Sequence, residues 1–263
     1  LGLMITALIF IMGYFAGQRR IDFEQMRVKL DEAVAHLDER IRNFDLPHLN
    51  KDREELVGTT QIHVFDVGQG SSILYIAKDG STVLVDTGRF DDGEKRIISY
   101  LDQHIGLGES IDLLIFSHND ADHIGHGDLV LQYFDVQEVW MNGMDHTSSV
   151  YLNLLDTLGE QDVLYAEPKA GETLMRGAFD IQVLHPSIDS PKKDNNDESL
   201  VTRISFDGLS VMTSGDVSEK QERDIIQRNG NLESDILILG HHGAKDSASQ
   251  EWLEAIQPQM AFY

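Results

Sequence analysis

The sequence predicts a mixed α/β domain over residues 60–263, preceded by a membrane-spanning helix and an amphipathic helix. Three observations predict this. From residue 61 onward, short β-rich runs bounded by Gly and Asp alternate with segments of helical spacing. Residues 1–17 carry no charge and are rich in Leu, Ile, Phe and Met. Phe23, Met26, Leu30, Ala33, Leu37, Ile41 and Phe44 recur in steps of three and four among charged residues.

The elements follow in order. An apolar run of 1–17 is at the short end for a bilayer span. No basic segment precedes it, and Ala16-Gly17-Gln18 is a weak cleavage site, so it reads as a retained anchor. Arg19 and Arg20 follow it, which by the positive-inside rule puts the remaining domain in the cytoplasm. Residues 18–46 read as one helix, packed on its own domain or paired as a coiled coil that makes the chain a homo-oligomer through 21–44. Pro47 ends it, because the residue before a proline is driven out of the helical region. Residues 47–59 read as linker.

In the domain, 61–65, 73–77 and 82–85 read as strands, the last two joined at Asp79-Gly80. Residues 94–104 read as a helix with Ile97, Ile98 and Leu101 on one face. Strands are expected at 112–116 and 138–141, then a helix at 148–158. Strands at 179–184, 201–206 and 210–213 come next, the last two turning at Asp207-Gly208. A helix at 218–228, a strand at 235–239, a helix at 248–256 and a final strand at 261–263 complete the pattern.

Composition narrows the chemistry. There is no cysteine, which excludes disulfides, thiolate zinc sites and a thiol nucleophile. Forty-five acidic residues against 21 basic give a net charge of −24. Proteins that grip duplex DNA carry a basic footprint, and no long basic stripe is present here. Either the substrate is held by metals and a few local cations, or it is not a long nucleic acid.

The stretch 117–123 is the most informative. His118, Asp120, Asp122 and His123 fall within six residues after an apolar run that ends at Phe116. A loop at a strand end can aim several ligands at one point. Two imidazoles with two carboxylates suit a hydrolytic metal site better than a structural one, which relies on thiolates. A surface turn explains Asn119 and Asp120, but not two histidines beside two aspartates.

The spacing His118-x-Asp120-x-Asp122-His123 resembles the His-x-His-x-Asp-His signature of the metallo-β-lactamase superfamily, with Asp120 at the second His. That replacement, with Ile124-Gly125, resembles the ComEC/Rec2 branch, whose members act in DNA uptake. Phe65-Asp66-Val67-Gly68-Gln69-Gly70 is similar to that branch's opening strand and turn, and Val85-Asp86-Thr87-Gly88 to an early strand end. Residues 195–201, Met212-Thr213-Ser214-Gly215-Asp216 and Leu239-Gly240-His241-His242-Gly243 are similar to later motifs, in the family's order.

The resemblance implies an αββα sandwich holding two divalent metal ions, Zn or Mn, that activate water against a phosphodiester, single-stranded DNA being one such substrate. It implies metal ligation by His118, Asp120, Asp122, His123, Asp216 and His241. Asp122, His241 and His242 are the catalytic candidates; Asn195, Asn196 and Lys245 are the substrate contacts. The family's intervening His is replaced in this region by asparagines, and His185 reads as a strand-end histidine before a ligand. Ser71 and Ala244 depart from the family's usual Asp and Ser. A Gly-His-Pro is expected beyond the strand at 261–263, so the domain reads as C-terminally truncated. The resemblance also places the domain outside a cell membrane crossed once, against the inference from Arg19 and Arg20. Two alternatives remain: a hydrolase of small esters or lactones, and a non-catalytic membrane scaffold with a degenerate hydrolase domain.

Overall fold

The computed structural model describes residues 58–190 and 193–263. The anchor, the amphipathic helix and nearly all of the linker expected at the N-terminus lie outside the described residues. Among the described residues, no helix is long and apolar enough to cross a membrane.

The domain is four layers, helices outside two sheets. The first sheet contains β1 (Gln61–Val64), β2 (Ile73–Ile76), β3 (Thr82–Val85), β5 (Leu113–Ile115), β7 (Glu138–Trp140) and β8 (Leu164–Ala166), in that order. β4 (Ser110–Ile111) and β6 (Asp135–Val136) form a separate parallel pair. The second sheet runs β14 (Met260–Phe262), β13 (Ile236–Ile238), β12 (Leu209–Thr213), β11 (Val201–Phe206), β10 (Phe179–His185), β9 (Thr173–Arg176). Helices α1 (Arg96–His104), α2 (Gly127–Tyr133) and α3 (Ser149–Glu160) connect β3, β5, β7 and β8, which are parallel. Helices α4 (Glu219–Arg228) and α5 (Gln250–Ile256) connect the parallel β12, β13 and β14.

Alternation along each strand builds the layers, because successive side chains point to opposite faces. Ile73, Tyr75, Val83, Val85, Leu113 and Ile115 meet Phe179, Ile181, Val183, Ile204 and Val211 between the sheets. Leu74, Leu84, Leu114 and Val139 face outward onto α1, α2 and α3, with Ile97, Leu101, Val130 and Leu154 among the helix residues. Leu184, Val201, Met212 and Leu237 face α4 and α5, represented by Ile225, Trp252 and Ile256.

The pattern missed α2, β4, β6, β8 and β9. Helix α2 opens on Gly127, a poor helix former, but a Cβ there would come within 2.6 Å of the Phe116 ring. Close helix packing overrides propensity at that point. In β8, Leu164 and Tyr165 are exposed, and in β9 Thr173 and Met175 are exposed. Edge strands with one open side show little burial pattern to read.

The topology positions one corner of the molecule. The chain leaves β3 at Asp86, β5 at Ser117, β7 at Met141, β12 at Ser214 and β13 at Leu239, all at carboxyl ends of parallel strands. Crevices outside such ends are where open α/β sheets bind ligands. The loop 117–125 is laced in place by backbone bonds. Thr87 donates to His123 O at 2.7 Å, Phe90 to Ala121 O at 2.9 Å and Ser71 to Asp122 O at 3.2 Å. Gly125 donates to Gly88 O at 2.9 Å. A Cβ on Gly125 would meet Phe90 N, Arg89 C and Gly88 O at 2.2–2.4 Å, all backbone atoms that cannot swing away. Gly125→Ala should therefore lower stability by about 3 kcal/mol, the upper range for overpacking, read as a reduced midpoint in urea unfolding.

Candidate metal centre

Asp86 begins the site. It follows β3 with φ 59, and its carboxylate is buried. Oδ1 accepts from Ser117 N–H at 2.7 Å, and Oδ2 from Ser117 Oγ–H and from His123 Nδ1, each at 2.8 Å. A buried carboxylate needs this many partners to offset its lost hydration. The bond to Nδ1 fixes His123 in the tautomer whose Nε2 faces the cluster, a common way of orienting a metal-binding imidazole. Sequence reading placed Asp86 in a motif without a role; its partners come from another strand end.

The structure brings together His118, Asp120, Asp122, His123, Asp216 and His242. His118 Nε2 lies 3.6 Å from Asp120 Oδ2 and 3.8 Å from Asp216 Oδ2. His123 Nε2 lies 3.4 Å from the other oxygen of Asp216. His242 Nε2 lies 3.3 Å from Asp122 Oδ2 and 3.7 Å from Asp216 Oδ2. Among the described residues, two groupings have ligand atoms all within 4.8 Å of one another: His118, His123, Asp216, and Asp122, His123, His242.

Two observations fit a cation here. His118 Nε2 is fully buried and has no hydrogen-bond partner, although it faces two carboxylates. His123 Nε2 and His242 Nε2 stand 3.2 Å apart, a separation that two lone pairs tolerate only with a proton or a cation between them. The donor set of imidazoles and carboxylates suits Zn or Mn better than a soft ion.

The electrostatics agree. A hydrogen bond from His242 depresses Asp122 to about 2, aided by His123 and opposed by burial. Burial opposes the charge on Asp216, yet His123, His118 and His242 hold it well below the usual carboxylate range. His118 beside it also lowers Asp120, with Asn195 adding to the effect. Burial opposes a charge on His123 as well, but Asp86 and Asp216 outweigh it and hold its pKa well above normal. The carboxylates are therefore ionised at neutral pH, and the raised His123 carries a proton between Asp86 and Asp216.

Three expected site residues stand elsewhere. His241 was expected to ligate, but its Nδ1 faces Asp246 Oδ1 at 3.3 Å, away from the cluster. His242 enters instead. Both residues are left-handed, φ 49 and φ 52, inside a single 3-10 turn, Gly240–Gly243, so their side chains diverge. Lys245 is exposed and does not line the cleft. Asn196 closes its own loop, its carbonyl accepting from Ser199. Asn195 does approach the site: its Nδ2 donates to Asp120 Oδ1 at 2.7 Å, while its Oδ1 accepts from Asn119 N and Asn142 Nδ2. His185 is bonded to Asp197 O and Arg228, well apart from the ligands in its partners. His146, which no sequence spacing singles out, places Nε2 at 4.0 Å from Asp120 Oδ1, its Nδ1 against Ser148 Oγ at 3.0 Å.

The cluster opens into a cleft of about 380 Å³, lined by Gly68, Gln69, His123, Asp216 and His242 among others.

Comparison with known proteins bears on this geometry. Residues 65–148 match the model of the metallo-beta-lactamase superfamily. The chain is 29% identical over 217 residues to ComE operon protein 3 of Bacillus subtilis (strain 168), covering 76% of this chain and 28% of that protein. It is also 29% identical over 203 residues to Competence protein ComA of Neisseria gonorrhoeae, covering 76% and 26%. The chain thus spans little more than a quarter of the length of these curated relatives. Among solved structures, a mutant of the CmlA beta-hydroxylase aligns with a TM-score of 0.51 at 18% identity, covering 77% of this chain and 44% of that one. That likeness concerns the fold alone. The metallo-β-lactamase fold and the resemblance to competence proteins read from the motifs both stand.

Linkage supplies a test of the carboxylates. The pKa of Asp122 is lower in the folded state than its unfolded value of about 3.9. Its charge therefore stabilises the fold above pH 4, and that contribution disappears as pH falls toward about 2. Metal-free Asp122→Asn should lose less stability than the parent between pH 4 and pH 2, measured by urea unfolding at each pH. Equal acid limbs would refute the depressed Asp122.

Proposed function

We propose that residues 60–263 are a metal-dependent hydrolase domain acting on phosphodiesters, with single-stranded DNA the favoured substrate. The observation that carries this reading is the buried His118 Nε2, left without a hydrogen-bond partner among carboxylates at converging strand ends. The names of the relatives, one a competence protein and another called Recombination protein 2 from Haemophilus influenzae, support a nucleic acid over other phosphodiesters.

His118, Asp120, Asp122, His123, Asp216 and His242 would hold the divalent cations. A cation pair supplies Lewis-acid polarisation and neutralises charge on a phosphoryl group. The chain supplies the rest. Asp86 and Ser117 orient His123. Asn195 steadies Asp120 from outside, with His146 beside it. His241, paired with Asp246 and 6.5 Å from the His242 ring, would supply a proton to a departing oxygen from outside the ligand set. Exposed Lys245 is an ordinary solvated lysine in this reading. Residues 1–17 would anchor the chain in a membrane and 18–46 would form the amphipathic helix.

The net charge of −24 favours a second reading, a hydrolase of small esters or lactones, because it repels long polyanions. The two are separated by comparing hydrolysis of single-stranded DNA with that of a small lactone, on protein loaded with Mn²⁺ or Zn²⁺. Metal content by mass analysis comes first, since a degenerate scaffold would bind none.

Asp122→Ala should abolish hydrolysis while the far-ultraviolet circular dichroism of the domain is unchanged. His242→Ala should reduce turnover by at least about tenfold more than His241→Ala, since loss of a ligand outweighs loss of one proton-transfer group. The reverse order would return the ligand role to His241. Removal of residues 1–20 should release the chain from membranes on fractionation.

A further inference from the structure

The loop between β1 and β2 binds an anion oxygen with one of the chain's own side chains. Asp66 Oδ1 accepts from the N–H of Gly68 at 3.1 Å and pairs with Arg96 Nη1 at 3.3 Å. A backbone N–H and a guanidinium converging on one oxygen are the chemistry of phosphate recognition. The Asp66 side chain is 79% exposed, so nothing packs it in place. Arg89 stands on the same spot: a Cβ on Gly68 would lie 3.3 Å from Arg96 Nη2 and 3.4 Å from Arg89 Cδ. Gly68, with φ +78, and Gly70, with φ +135, keep this surface free of side chains. Each guanidinium is braced by a carboxylate, Arg89 by Asp91 and Arg96 by Asp92. The braces fix the forks and also offset their charge.

Asp66, Gly68, Gln69 and Gly70 line the same cleft as His123, Asp216 and His242. The loop also abuts a ligand of the centre, since a Cβ on Gly70 would fall 2.4 Å from Asp122 O. A phosphate at Gly68 N–H would therefore lie in the same cleft as one at the centre, with Arg89 and Arg96 behind the loop.

We propose that Gly68 N–H, Arg96 and Arg89 form a second phosphate site for a polyphosphodiester chain, and that Asp66 occupies it until a phosphate displaces its carboxylate. This rests on the phosphodiesterase reading and adds to it: substrates carrying a second phosphate are preferred, and Asp66 competes with them. A weak competitor would let a chain of charge −24 favour a strand held at two points over a stray anion.

The proposal gives opposite signs for two neighbouring residues. The full chain is titrated into a fluorescein-labelled oligothymidylate and followed by anisotropy, with cleavage of the same oligonucleotide measured in Mn²⁺. Arg96→Ala should weaken binding about fivefold, the upper range for an exposed charged contact, and reduce the slope of log affinity against log salt by about 0.7. Asp66→Asn keeps an acceptor for Gly68 N–H but loses the charge, and should tighten binding about threefold. Arg223→Ala, on α4 and paired with Glu219, should bind as the parent does. If the parent binds and cleaves but Arg96→Ala and Asp66→Asn shift together or not at all, the second phosphate site is refuted and the phosphodiesterase reading survives. If the variants shift as stated without cleavage in the parent, the hydrolytic reading fails and the phosphate site stands. A parent that neither binds nor cleaves overturns both.

Discussion

The buried Asp86 carboxylate is the interaction on which the rest of the corner depends. It joins the end of β3 to the end of β5 through Ser117 and sets the His123 ring through Nδ1. His123 Nε2 in turn faces both Asp216 and His242, from the second sheet. One carboxylate thus links the 118–123 loop of the first sheet to Asp216 and His242 of the second. Breaking a buried, hydrogen-bonded pair of this type leaves an unpaired charge, which costs more than the pair contributes when intact.

The corner concentrates negative charge. Asp86, Asp120, Asp122 and Asp216 lie within one network of histidines. Such a set is costly to assemble in a low-dielectric interior unless positive charge joins it. Protonated imidazoles can supply it, and a divalent cation supplies more in less space. Apolar packing pays for the strain: the sheets around the corner contribute Val85, Ile115 and Ile238 to the inter-sheet core.

Much of this was legible in the sequence, for reasons that differ by residue. The clustering of the 118–123 loop was readable because four donor side chains fall within six residues, and that of Asp216 because its strand and turn precede it directly. The choice between His241 and His242 was not, since it depends on two consecutive left-handed residues that no local pattern announces. His146 and Asn195 approach Asp120 from loops far along the chain, and a lone His or Asn carries no spacing. Lys245 is exposed and outside the cleft lining, and position in the sequence alone does not separate a cation at the rim from a solvated one. Strands β1, β2, β3, β10, β11, β12 and β13 were readable as short β-rich runs between turn residues; the edges β8 and β9 are short and largely exposed and bury little.

His123 and His242, whose ring nitrogens touch, are 119 residues apart in the chain. Contacts of such separation form late, because loop closure must precede any gain from them. Neither half of the chain holds the set alone, so a nascent or partly folded chain lacks the assembled centre. For the proposed hydrolase this would be a safeguard in time: the clustered side chains come together only with the completed sandwich.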